Sequence, residues 1–271
     1  MSISAKINRI TTLEIRKMKE RGEKIAMLTA YDATFAALED EVGMDVVLVG
    51  DSAGMVIAGH RTTIPMELDH MIYHTRCVSR GVKRAIVIAD MPFMSYQASP
   101  EQGVMNAGRL LKEGYAQGVK LEGGANITET VRLITSAGIP VVGHIGLTPQ
   151  SINRFGGYCV QGDTPEEAER LKKDALALQE AGAFMIVLEK IKGETAGLIT
   201  KALKIPTIGC GAGPHCDGQV VVMHDMLGLF EKFKPKFVRR YAEMAEESRR
   251  AFKAYINDIK ENKFPNENET Y

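Results

Sequence analysis

Neither sign of charge prevails in this chain: 34 Lys and Arg residues stand against 34 Asp and Glu in 271. Without a net positive field there is nothing to gather phosphate backbones or anionic lipid, so no nucleic-acid or membrane partner is expected. Long hydrophobic runs are missing too. No window approaches the roughly 20 apolar residues needed to span a bilayer, and the opening MSISAKINRI has no uninterrupted apolar stretch of a signal segment. The expectation is a soluble cytoplasmic protein. Cysteine is scarce: Cys77, Cys159, Cys210 and Cys216 share no CxxC spacing and read as free thiols in a reducing compartment. His215 beside Cys216 does not make a metal cluster with Cys210, because the Gly-Ala-Gly-Pro between them is a turn rather than a ligand scaffold. The 14 methionines read as adaptable core filler rather than a soft-metal site.

What is present is a repeated event. Five short apolar segments each run into an ionisable group: Asp45-Val-Val-Leu-Val-Gly-Asp51, Arg84-Ala-Ile-Val-Ile-Ala-Asp90, Gly118-Val-Lys120-Leu-Glu122, Pro140-Val-Val-Gly-His144 and Phe184-Met-Ile-Val-Leu-Glu189. An apolar run without polar alternation fits a strand buried on both faces of a parallel sheet, so the charge at its end sits where the sheet stops. Between these segments lie amphipathic stretches with helix signals. Ser99-Pro100-Glu101-Gln102 and Thr164-Pro165-Glu166-Glu167 combine a hydroxyl cap, proline in the first turn and an acid or amide at the third position, and Gly22, Gly43, Gly118, Gly138 and Gly182 close helices.

The spacing predicts helices over 12–21 and 33–42, the latter presenting Phe35, Leu38 and Val42 on one face. Further helices are predicted from Pro65 to Gly81, from the cap at Ser99, from the cap at Asn126, from Thr164 to Gly182 and over 236–260, the last with Val238, Tyr241, Met244, Ala245 and Phe252 inward. Strands seven and eight are read at Ile205–Gly213 and Gln219–Asp225. Gly209, Gly211 and Gly213 fail the dinucleotide fingerprint, since its third glycine would fall at Pro214. Gln150 to Gly162 has no periodicity and is long for a connection, which makes it a candidate lid. With no composition break, 1–271 reads as one (β/α)8 TIM barrel domain with an N-terminal helix and a C-terminal helical extension; a doubly wound open sheet is the alternative.

In such barrels the reactive groups project from the C-terminal ends of the strands. Lys120 and Glu122, two apart on one strand, point to the same side, the barrel interior. Asp51, Asp90 and Glu122 gathered there would repel one another unless a cation lay between them, and hard oxygen ligands suit magnesium. The bland alternative is that each acid pairs with Lys120, an arginine or a helix terminus. Lys120 could form a Schiff base, but carboxylates close by favour a permanent cation that meets a substrate oxygen. Glu189 is the best-placed general base or acid, and His144 a hydrogen-bonding orienter. These parts describe enolisation of a 2-oxo acid followed by attack on an electrophilic carbon. Spacing alone does not choose the substrate.

Six runs carry a likeness: Leu28-Thr-Ala-Tyr-Asp32, Val49-Gly-Asp-Ser52 with Gly59-His60, Ala89-Asp-Met-Pro-Phe93, Val119-Lys-Leu-Glu-Gly-Gly124, Gly143-His-Ile-Gly-Leu-Thr-Pro-Gln150 and Ile208-Gly-Cys-Gly-Ala-Gly213. In this order, and nearly end to end, the chain resembles the ketopantoate hydroxymethyltransferase family of pantothenate biosynthesis. The resemblance implies transfer of a hydroxymethyl group from 5,10-methylenetetrahydrofolate to 3-methyl-2-oxobutanoate, giving 2-dehydropantoate through a metal-stabilised enolate. It implies magnesium at Asp51, Asp90 and Glu122, some of it through water, with Asp51, Ser52, Asp90 and Lys120 as the oxo-acid contacts; His144, the hydrogen-bonding orienter, is counted with these substrate-binding residues. It also implies Glu189 acting at C3 and assembly as a homodecamer. The phosphoenolpyruvate mutase and isocitrate lyase group is the competing enzyme reading, but its lyases' Lys-Lys-Cys-Gly-His string is absent. A non-catalytic binding protein on the same fold would need a missing base or a broken acid set.

Overall fold

The computed structural model describes residues 9–271; most of the opening segment used to judge export lies outside the described residues. In chain order the elements are α1 (Thr12–Glu20), β1 (Ile25–Thr29), α2 (Ala33–Glu41), β2 (Val46–Val49), α3 (Ala53–Val56), α4 (Leu68–Gly81), β3 (Ile86–Asp90), α5 (Pro100–Lys112), β4 (Gly118–Glu122) and α6 (Thr128–Ser136). There follow β5 (Val141–Gly146), α7 (Ile152–Phe155), α8 (Pro165–Glu180), β6 (Met185–Glu189), α9 (Gly193–Ala202), β7 (Thr207–Cys210), β8 (Gly218–Val221), α10 (Met223–Met226) and α11 (Met244–Lys260). The eight strands close into a barrel in sequence order, each parallel to the next, with β8 returning to β1. Strands β2 to β5 are buried at every residue, which is why they read as apolar runs without alternation.

Side-chain alternation sorts the barrel interior into two zones. At the N-terminal end Met27, Val46, Leu48, Ile86, Ile88, Val142, Met185, Val187 and Ile208 form one apolar cluster, joined from below by Ile10 and by Ile15 and Met18 of α1. One alternation further along β3, β5 and β6 stand Asp90, His144 and Glu189, joined by Lys120 and Glu122 of β4. The apolar plug makes the barrel a solid core, and only its upper end carries polar groups. Two of the caps read from the sequence form as expected: Ser99 accepts from the Gln102 amide and Thr164 from the Glu167 amide.

Several local expectations are corrected. Helix α4 starts at Leu68 behind Glu67, with His70 answering the cap, so Pro65 stands outside it. Asn126 lies in a short 3-10 turn before α6 and does not cap it. On α2 the buried residues are Ala36 and Glu39, while Leu38 and Val42 are 52% and 79% exposed; this short helix has too little apolar asymmetry for sequence to choose its face. The connection from β7 to β8 carries no helix, so strand–helix alternation breaks there while the barrel still closes.

By its contacts the chain divides into a unit ending at Val221, which holds the barrel, and a unit from Val222 to Tyr271. In the second unit the predicted long helix is shorter: 236–243 is not helical, and α11 has no buried residue, with Phe252 64% exposed rather than inward. No helix among the described residues is long and apolar enough to cross a membrane, and none of the four cysteines is in a disulfide.

Candidate active site

The registers of adjacent strands set the site. Asp90 of β3 is level with Lys120 of β4, Glu122 of β4 with His144 of β5, and Gly146 of β5 with Glu189 of β6. Pairs level in register on the inner face become neighbours. Lys120 Nζ lies 3.1 Å from Asp90 Oδ1 and 3.1 Å from His144 Nδ1. The same ring nitrogen is 3.3 Å from Glu122 Oε1, and His144 Nε2 is 3.3 Å from Glu189 Oε2. Asp51, just past the end of β2, donates its backbone N–H to Asp90 Oδ2 at 3.0 Å. Six of the seven residues singled out by sequence therefore form one continuous polar chain, and all but Glu189 are buried. Glu189, with 18% of its side chain exposed, is the member open to the mouth.

Ser52, the seventh, bonds to the Tyr31 hydroxyl at 2.9 Å. A Cβ added at Gly50 would meet Ser52 Oγ at 2.7 Å and Asp90 Oδ2 at 3.6 Å, which places Ser52 beside the acids. A second glycine serves Glu189. Gly146, at φ +99°, lets Leu147 N–H bond to the Glu189 carbonyl at 2.9 Å, where a Cβ would lie 2.2 Å from that oxygen.

Electrostatics follow from packing like charges in a dry place. Burial, then the carboxylates of Asp90 and Glu122, push Asp51 up to about 8, against Lys120 and a hydrogen bond from Gln150. Asp90 is raised by burial, with Lys120 and the Asp51 N–H pulling the other way. Burial works against the charge on Lys120, but Asp90, Glu122 and Asp51 outweigh it and hold the ammonium above its ordinary value. That favours a cation over the neutral amine that Schiff-base chemistry needs. At His144 burial and Lys120 oppose protonation, yet the Glu122 and Glu189 carboxylates, each 3.3 Å from a ring nitrogen, win and raise it to about 9.

Two residues that sequence reasoning passed over hold the acids. Gln150, taken as the start of a lid, is buried: its Nε2 donates to Asp51 Oδ2 and to the Met91 carbonyl, both at 2.9 Å, and its backbone N–H donates to Glu122 Oε2 at 3.0 Å. Tyr96 Oη lies 2.9 Å from Gln150 Oε1, and accepts from the Glu122 N–H at 2.9 Å. Gln150 had a signal, since it closes one of the recognisable runs; Tyr96 had none. The exposed residues of the stretch lie between Asn153 and Val160, and Gln161 is buried again. There Lys190 Nζ donates to the Tyr158 carbonyl at 2.5 Å, and Gln161 bridges to Ile191 directly after the Glu189 strand.

No three His, Cys, Asp or Glu side chains among the described residues converge closely enough to cage an ion by themselves. The donor set nonetheless fits magnesium. Asp51, Asp90 and Glu122 are hard oxygen donors that destabilise one another without a cation, and Asp90 Oδ1 is a buried oxygen with no aligned hydrogen-bond donor. Magnesium ordinarily keeps several waters and takes few protein ligands, so a loose set suits it better than a cage.

A closed barrel of eight parallel strands with Asp51, Asp90, Glu122, Glu189, Lys120 and His144 inside its C-terminal end defines the (β/α)8-barrel class of enzyme. Comparison with known proteins narrows the class. The family described as ketopantoate hydroxymethyltransferase matches residues 9–267. Curated relatives called 3-methyl-2-oxobutanoate hydroxymethyltransferase include one from Syntrophotalea carbinolica, 58% identical over 95% of this chain and 96% of its own. Another, from Geobacter sulfurreducens, is 56% identical over 96% and 98%. A third, from Syntrophus aciditrophicus, is 53% identical over the whole of both chains. The chain belongs to the ketopantoate hydroxymethyltransferase family. Among solved structures a phosphonopyruvate hydrolase in complex with oxalate and Mg++ is similar with a TM-score of 0.63 at 12% identity, over 96% of this chain and 93% of that one. A 2,3-dimethylmalate lyase of the PEP mutase/isocitrate lyase superfamily gives 0.60 at 16%, over 96% and 91%. At these identities the likeness is one of fold.

Proposed function

We propose that this protein transfers a hydroxymethyl group from 5,10-methylenetetrahydrofolate to 3-methyl-2-oxobutanoate, giving 2-dehydropantoate, with water supplying the hydroxyl and tetrahydrofolate leaving. The observation that carries the reading is the line of close contacts from Asp90 through Lys120 and His144 to Glu189, on a member of this family. Lys120 and Ser52 meet the oxo acid, with Asp51 and Asp90 bordering the same place. Water breaks the donor's two C–N bonds to the methylene carbon, releasing it at the formaldehyde level as the nitrogens of tetrahydrofolate take up protons. Glu189 takes the C3 proton, and the electron pair left behind forms the C2–C3 double bond of the enolate. C3 then attacks that carbon, whose carbonyl oxygen becomes the new hydroxyl by taking up the proton. His144, with Nδ1 beside Glu122 Oε1 and Nε2 3.3 Å from Glu189 Oε2, stands behind the Glu189 carboxylate. Asp51, Asp90 and Glu122 would hold magnesium, in part through water, and a bound divalent ion supplies polarisation of the 2-oxo group. The strap bearing Tyr158 is read as the lid that excludes water. The same resemblance carries a decameric, cytoplasmic assembly.

The test separates the first half of the reaction from the second. With magnesium and no folate, the protein should exchange the C3 hydrogen of 3-methyl-2-oxobutanoate for deuterium, followed by NMR, and a chelator should stop it. Absence of exchange with magnesium present would remove the enolate from the reading.

A further inference from the structure

The three acids of the site come from three different strands, yet one loop residue touches two of them and the backbone beside the third. Gln150 uses every hydrogen-bonding valence of its amide. Its Nε2 donates to Asp51 Oδ2 and to the Met91 carbonyl, the residue after Asp90; its Oε1 lies 2.9 Å from the Tyr96 hydroxyl and accepts from Gln97 Nε2 at 3.0 Å. The Met91 carbonyl can only accept, which decides the direction of the amide: its NH2 must face Asp51. The backbone N–H of the same residue donates to Glu122 Oε2.

An account of the carboxylate oxygens shows what this does. In each acid one oxygen is claimed by an uncharged N–H: Asp51 Oδ2 by the Gln150 side chain, Glu122 Oε2 by the Gln150 backbone, and Asp90 Oδ2 by the Asp51 backbone. The other oxygen of each is left to charged neighbours or to a ligand. Asp90 Oδ1 faces Lys120 and Glu122 Oε1 faces His144, while no described hydrogen bond or ion pair reaches Asp51 Oδ1. A carboxylate is nearly symmetric about its long axis and rotates freely when nothing holds it. Here two of the three rotations are set by one residue, itself clamped by Tyr96.

We propose that Gln150, held by Tyr96, is the positioning residue of the acid cluster: it selects which oxygens of Asp51 and Glu122 face the barrel axis and thereby sets the affinity for a divalent cation there. This rests on the metal reading given above. Gln150 touches no reacting atom on this view. It acts through the carboxylates, as outer hydrogen-bond partners of metal ligands do, where their loss costs about 10- to 100-fold in affinity.

Mn2+ alone is the probe, its binding followed by electron paramagnetic resonance. Gln150→Met keeps the bulk of the side chain and removes the amide; Mn2+ affinity should fall about 10- to 100-fold. Deuterium exchange at C3 should fall at low metal and return to within about 3-fold of the unaltered protein at saturating metal, since the base is untouched. A merely structural role would lower the melting temperature and leave the Mn2+ constant in place. Tyr96→Phe keeps the ring, leaves Gln150 Oε1 with Gln97 alone and takes the hydroxyl from the Glu122 backbone, and should weaken Mn2+ in the same direction by about 3- to 10-fold. Gln97→Met, which removes the other donor to Oε1 without touching Glu122, should act the same way, and the pair carries the test if Gln150→Met does not fold. Unchanged Mn2+ affinity in a folded Gln150→Met, or in Tyr96→Phe and Gln97→Met where those are the folded variants, overturns the proposal. If the unaltered protein binds no Mn2+, the metal reading falls first and this inference with it; if it binds and the variant matches it, only this inference falls.

Discussion

His144 Nε2 stands 3.3 Å from Glu189 Oε2 across two neighbouring strands, while its other ring nitrogen is 3.3 Å from Glu122 Oε1. One imidazole thus spans the two carboxylates to which different work is assigned, and it is buried where Glu189 is partly open. Glu189 is therefore backed by a buried ring on one side and partly open on the other.

Glu189→Gln keeps the shape and the contact with His144 but removes the proton acceptor. Deuterium exchange at C3 of 3-methyl-2-oxobutanoate should slow by on the order of 100-fold or more, measured by NMR with saturating magnesium. Exchange at the unaltered rate would take Glu189 out of the base role.

Lys120→Met leaves Asp90, Asp51 and Glu122 facing one another without their internal cation. Removing one partner of a buried ion pair costs about 3–5 kcal/mol, so urea denaturation in chelator should show a loss of that order. Added magnesium should restore part of it if those acids hold the ion, because a ligand that binds only the native state stabilises it. No response to magnesium would count against the assignment.

Gly146→Ala places a Cβ against the Glu189 carbonyl at a backbone angle that L residues rarely adopt. A loss of about 2 kcal/mol or more in stability is expected, together with slower C3 exchange at saturating magnesium as the Glu189 strand end shifts. Stability and exchange both unchanged would show that the loop yields instead.

Glu39 of α2 offers a pH test away from the site. Both of its oxygens are buried without a hydrogen-bond partner, and burial, aided by the Asp32 charge, raises it to about 8 from an ordinary 4.5. Between those values the folded state holds a proton that the unfolded state has released. Stability therefore declines as pH rises from about 4.5 through 8. Glu39→Leu should remove that slope and be more stable at pH 8 by on the order of 1–3 kcal/mol, read from denaturant midpoints at pH 5 and pH 8. Parallel pH profiles for the two proteins would refute it.

The legible part of the fold was the part with a local cause. A strand buried on both faces needs apolar side chains at every position, so β2, β3, β4, β5 and β6 announced themselves, and an ionisable residue that ends such a run has only the rim to occupy. Lys120 and Glu122 had to share the interior because side chains on a strand alternate. Hydroxyl and proline caps marked α5 and α8 for the same kind of reason. The α2 face was misjudged because Leu38 and Val42 lie on the same helical stripe that an inward set would use, and nothing local distinguishes the side that meets its neighbour.

Residue order by itself determined the eight strands, the identity of the groups at their ends and the family, since each depends on patterns a few residues long. Closure of the barrel decided the rest. It set Asp90 level with Lys120 and Glu122 with His144, turned Gln150 inward to Asp51 from 99 positions away, and dispensed with a helix between β7 and β8. Hydrogen bonds of that reach leave no periodic trace in a sequence, because a neutral amide is as common on a surface loop as in a buried clamp and only its surroundings tell them apart.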